Sequence, residues 1–151
     1  MHIVLFHMKK ERKNISFRRH NFTLIEIVVV IVILVTLASV ATPLYLNYVK
    51  RANIGAAKTQ MKLLEDALTG YRLDMGGYPD GNSGLQALVE NVDNNEKWNG
   101  PYIKPAIPKD PWGNSYVYTS PGEHGDYDLT CYGADGQPGG EGDNADINNW
   151  E

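Results

Sequence analysis

Four acidic residues, Asp135, Glu141, Asp143 and Asp146, share the stretch Gly133–Asp146 with five glycines. Carboxylates alternating with residues that permit tight turns suit a hard cation, which takes about six to eight oxygens, some from backbone carbonyls. Calcium fits this donor set better than zinc, which draws on His and Cys. The spacing is not that of an EF-hand. The same composition also describes a flexible acidic tail, because so polar a segment has little apolar area to offset its ordering entropy.

A fifth acid, Glu26, is the one charge between Phe22 and Val49. Inside an apolar helix a carboxylate costs about 2.5–3.5 kcal/mol on insertion scales, so it calls for a partner or a task. No base occurs in the run to pair with it. A freed amine at Phe22 would suit: after cleavage there Glu26 becomes the fifth residue, and in a staggered stack one subunit's amine meets the next subunit's Glu26. Glu26 near hydrated headgroups is the competing reading. Groups for catalysis do not converge. His124 is a lone histidine in a Gly-rich turn, and Ser115 and Ser120 lack a nucleophile-elbow context. Cys131, the only cysteine, forms no internal disulfide and reads as a small half-buried core residue.

The elements that position these groups follow from periodicity. Ile27–Val49 is a run of 23 uncharged residues, which at ~1.5 Å per residue is long enough to cross a bilayer core of roughly 30 Å as a helix. Residues 1–21 carry six Lys/Arg against Glu11 alone, and from Phe22 onward eight bases face seventeen acids. The basic end therefore stays cytoplasmic and the remainder is exported. An ordinary signal anchor satisfies these facts. So does a secretory signal peptide, since Ser39-Val40-Ala41 is a small–x–small site that would release a soluble calcium-binding module beginning at Thr42. The apolar length and the early carboxylate count against that second option. No Lys or Arg follows Lys109, so the C-terminal third repels phosphates and a nucleic-acid partner is excluded.

Pro43 falls within the helical run, where it removes a donor and crowds the preceding turn, so a kink is expected there. Beyond it Ile54, Ala57, Met61, Leu64, Leu68, Tyr71 and Met75 recur every three or four residues, one apolar stripe that predicts continuation of the helix until Gly76-Gly77 caps it. A coiled-coil seam would show the same spacing. The strand signals that follow favour a helix covering a sheet. Ser83-x-x-Gln86 predicts a capping box opening a short helix over 84–91, with Leu85, Leu88 and Val89 inward. Prolines 105, 108 and 111 preclude ladders around them. Strands are predicted over 115–119, with Tyr116 and Tyr118 on one face, and over 127–132. The result is an α+β chain: a long helix packed on a small antiparallel sheet, followed by the acidic loop.

Phe22-Thr23-Leu24-Ile25-Glu26 before an aliphatic run resembles the class III leader signature of type IV pilins and pseudopilins, with Asn21 where that family has Gly. Tyr78-Pro79, Gly84-Leu85-Gln86-Ala87-Leu88, Gly100-Pro101-Tyr102 and Asp110-Pro111-Trp112-Gly113 are similar to the major pseudopilins of type II secretion systems, as is Gly133-Ala134-Asp135-Gly136…Ile147…Trp150. The resemblance implies a pilin-like fold in three parts: a leader over 1–21, cut by a prepilin peptidase before Phe22 and followed by N-methylation; an anchor and filament-core helix over 22–49; and a periplasmic domain over 50–151. That domain would comprise helix 50–75, a variable region 76–111, and sheet plus loop 112–151. Met8 before Lys9-Lys10 is an alternative start. The implied function is that of a homopolymer, the periplasmic pseudopilus. It works with minor pseudopilins and an inner-membrane assembly platform, and it drives folded proteins through the outer membrane. A surface type IV pilin or competence pseudopilin is the near alternative. The resemblance also implies Ca2+ held by the side chains of Asp135 and Asp143 and the carbonyls of Tyr132, Gln137 and Gly140. Asp146 would be a substitute or helper, and Ile147 and Trp150 would pin the loop to the sheet.

Overall fold

A computed structural model describes residues 22–151; the leader, Asn21 and Met8 lie outside the described residues. Thr23 starts the first helix by accepting the Glu26 amide on its hydroxyl at 3.3 Å, the bond of an N-cap. Helix α1 therefore begins at Leu24, two residues after Phe22, and runs to Met75 with Pro43 inside it. Arg72 accepts the Gly76 amide at 2.8 Å, and Gly76 takes φ +83°, the left-handed stop expected of a glycine there.

The chain divides between Ala41 and Thr42 into two units. In the first, every large apolar side chain from Phe22 to Val40 is exposed. In the second, the stripe of α1 is buried as its spacing predicts. Ala57, Leu64 and Leu68 are at 0% exposure and join Met61, Tyr71, Leu88, Leu129, Cys131 and Ile147 in one core.

Three short antiparallel strands cover that stripe in the order β1-β2-β3: β1 Val117–Thr119, β2 Asp128–Cys131 and β3 Ile147–Asn148. Tyr118 pairs with Leu129, and Cys131 with Ile147. Leu129 and Cys131, two apart and on one face, enter the core as a strand's alternation requires. Cys131 is fully buried rather than half-buried, and burial pushes its thiol up to about 11, far from reactive. Tyr116 is buried ahead of β1 and donates its hydroxyl to Gln60 of α1 at 2.6 Å. Tyr118 donates to the Pro79 carbonyl at 2.8 Å.

The capping box does not form. Ser83 has helical φ/ψ, so its hydroxyl does not reach forward to the next turn; it and the Ser83 amide donate instead to Asp80 Oδ1. Gln86 bonds Glu90, and the predicted helix shortens to a 3-10 turn, Gly84–Leu88. Leu85 and Leu88 are buried and Val89 only partly so. No strand forms between Gly76 and Asp110, as the prolines dictate. That segment is held by side chains: the Trp98 indole donates to the Ala87 carbonyl, the Tyr102 hydroxyl donates to Asp74, and the Tyr102 ring meets Tyr71 edge-on at 5.6 Å.

Candidate functional site

The acidic loop leaves β2 at Tyr132 and returns at β3, and two glycines make the turn back. Gly133 sits at φ +63°, and a Cβ there would lie 2.7 Å from the Asp143 carbonyl oxygen. Gly140, at φ +93°, would bring one to 2.5 Å from the Asn144 carbonyl oxygen. Only glycine combines that backbone with that proximity. Across the resulting gap the Ala134 amide donates to the Asp143 carbonyl at 2.9 Å.

A buried node braces the loop from below. Asp110 is 5% exposed and accepts the Asn114 amide at 2.7 Å, the Trp112 amide at 3.1 Å and the Cys131 thiol at 3.2 Å. Asn114 in turn donates its side-chain amide to the Gly133 carbonyl at 3.1 Å. The turn Asp110–Asn114 thus fixes where the loop leaves the sheet. The motif Asp-Pro-Trp-Gly marked a turn in the sequence, but nothing local showed that its carboxylate would be buried.

The acids are treated differently by this geometry. Asp135 is exposed and its Oδ1 accepts the Gln137 amide at 3.1 Å. Asp146 Oδ2 accepts the Gly139 amide at 2.9 Å, while its Oδ1 is buried without a hydrogen-bond partner. Asp143 has the same character: Oδ1 is buried and unpartnered, and Oδ2 lies 3.4 Å from Lys50 Nζ. Unsatisfied buried carboxylate oxygens are costly, and two in one loop are what a hard cation would relieve. Among the described residues no three His, Cys, Asp or Glu side chains converge on one point. A cation here would therefore complete its shell from carbonyls and water, which is ordinary for calcium. The donor set fits that ion. Gln137 and Gly140 are exposed, and Tyr132 directly follows β2.

The end of the loop is pinned in two ways. Ile147 enters the core. Trp150 stacks on His124 at 4.0 Å, with the rings 6° from parallel, and His124 Nδ1 lies 3.1 Å from Asp128 Oδ2. Trp150 thus holds the β1–β2 turn rather than the sheet itself, and His124 has a packing role. Burial alone would raise the Asp128 carboxyl, but the His124 side chain and the amides of Glu123 and His124 outweigh it and hold it below the usual range.

At the other end, Phe22 is exposed ahead of α1 and Glu26 lies in the first turn. Among the described residues the Glu26 carboxylate makes no ion pair. Its first-turn position does place it at the positive end of the helix dipole. Lys50, Asp110 and Asn114 are the residues that sequence reasoning missed.

Comparison with known proteins adds to this geometry. Residues 44–150 match the family model described as type II secretion system (T2SS), protein G. The type II secretion system core protein G of Vibrio cholerae serotype O1 is 49% identical over 146 residues, covering 95% of this chain and 96% of the relative. The protein of that name from Pseudomonas aeruginosa is 42% identical over 137 residues, covering 89% and 96%. The crystal structure of the major pseudopilin from the type 2 secretion system of enterohaemorrhagic Escherichia coli superposes with a TM-score of 0.55 at 37% identity, covering 66% of this chain and 88% of that one.

Proposed function

The chain belongs to the type II secretion system protein G family, the major pseudopilins, and from that membership we infer that it is the structural subunit of a pseudopilus. The observation that carries this reading is the exposed apolar half of α1. From Leu24 to Leu46 its large apolar side chains are exposed, and it is long and apolar enough to cross a membrane. Such a surface needs lipid or other helices against it. In the membrane it is an anchor; in a polymer the same face becomes the filament core.

The finer steps of our reading follow from the family resemblance carried onto these residues. The helix spans the inner membrane once with the domain after it in the periplasm, the orientation that the basic stretch 1–21 dictates. A prepilin peptidase cuts between Asn21 and Phe22 and the new amine is methylated. Glu26 then receives the Phe22 amine of a neighbouring subunit, which offsets the cost of its charge in apolar surroundings. Minor pseudopilins and an inner-membrane assembly platform are the further partners. Calcium occupies the 133–146 loop, with Asp135 and Asp143 as side-chain ligands, Asp146 as helper and the carbonyls of Tyr132, Gln137 and Gly140 completing the shell. The buried oxygens of Asp143 and Asp146 support this reading. The bound ion would hold closed a loop that no disulfide closes.

Expressing the full chain with and without a prepilin peptidase, and reading the N-terminal mass of the membrane fraction, tests the assembly reading. A peptidase-dependent terminus at methylated Phe22 is expected. A soluble product beginning at Thr42 would overturn it.

A further inference from the structure

Among the described residues, Lys50 is the one Lys or Arg that comes within ion-pair distance of an acid of the 133–146 loop. This cation comes from α1, 93 positions earlier in the chain, and it approaches Oδ2 of Asp143 at 3.4 Å while Oδ1 of the same carboxylate stays buried and unpartnered. The Lys50 side chain is 51% exposed and that of Asp143 23%. We propose that Lys50 is a built-in competitor of the loop's cation: it neutralises Asp143 when no divalent ion is bound and gives the carboxylate up when one binds.

The inference rests on the calcium reading above. A carboxylate coordinating a divalent ion at about 2.3–2.6 Å cannot hold an ammonium on its second oxygen without strong repulsion between the two cations. The ammonium cancels one charge in a loop of four acids, whereas the divalent ion cancels two. Exchange is therefore favourable but opposed, and the apparent affinity falls by the fraction of molecules in which Lys50 is engaged. A half-exposed pair is weak, so the opposition is modest and the lysine leaves readily. Lys50 is also the first charged residue after the run Ile27–Val49, so loading the loop frees a cation next to the anchor segment.

Calorimetric titration of calcium alone into the full chain in detergent micelles at low salt tests this. Lys50→Met should bind roughly two- to fivefold tighter than the parent, the small gain expected from removing a partly exposed pair. Lys50→Glu, which adds an acid, should bind tighter still, and Lys50→Arg should match the parent. Raising the salt to about 0.5 M should narrow the Lys50→Met difference by screening. With chelator present, Lys50→Met should melt below the parent, and with saturating calcium the two should melt together. If the parent binds calcium and Lys50→Met binds equally or more weakly, the competitor role is wrong and the calcium reading survives. If the parent and all three variants fail to bind, both fall together.

Discussion

The core behind α1 and the 133–146 loop lie against the same sheet but are organised by opposite means. In the core, Leu64, Leu68, Leu88 and Leu129 are each at 0% exposure and the order comes from apolar burial. In the loop almost no apolar area is hidden. Its path comes from left-handed glycines, an amide bond across the gap and the Asp110–Asn114 brace. The contrast teaches that one small domain can contain a part ordered by apolar burial and a part ordered by backbone conformation and polar contacts. It predicts two separable stabilities.

Leu64→Ala should have the largest effect, about 2–5 kcal/mol, and thermal melting should show that loss whether or not calcium is present. A loss that shrinks when calcium is added would erase the distinction between the regions. Alkaline titration should also weaken the core. Burial pushes the phenols of Tyr118 and Tyr127 up to about 12. Because folding raises these values, their contribution is full below pH ~10 and is lost as pH climbs through about 12. Calcium added at about 100 times its dissociation constant should stabilise by about 2.7 kcal/mol, and Asp135→Ala should abolish that gain. An identical melting curve in chelator would remove the cation from the loop. Gly133→Ala should cost about 1–2 kcal/mol for the left-handed backbone alone, with more from the Asp143 carbonyl it would meet, and calcium affinity should fall with it. The smallest expected change is Tyr116→Phe, near 1 kcal/mol, measured by denaturant unfolding and independent of the metal.

Much of the fold was legible because its signals are local. The stripe from Ile54 to Met75, the stop at Gly76, the turn at Asp110-Pro111-Trp112-Gly113 and the strands around Val117 and Leu129 each follow from spacing within a few residues. The capping box at Ser83 failed for a local reason too: Asp80, one turn earlier, offered a better acceptor to the same hydroxyl and amide. The composition of the loop named its four acids but could not rank them, since ranking depends on which oxygens are hidden and which amides already occupy them.

The amino-acid sequence by itself therefore determined the long helix, its uncovered apolar half, the sheet that its other half requires, and the acidic character of the loop. Only the tertiary structure decided that Asp110 would be buried under Cys131, that Asn114 would hold the Gly133 carbonyl, that Trp150 would stack on His124, and that Lys50 would stand at Asp143. Periodicity and turn chemistry act over one or two turns of chain, whereas these contacts join residues 19 to 93 positions apart. They exist because packing the apolar stripe against the strands sets these polar groups side by side.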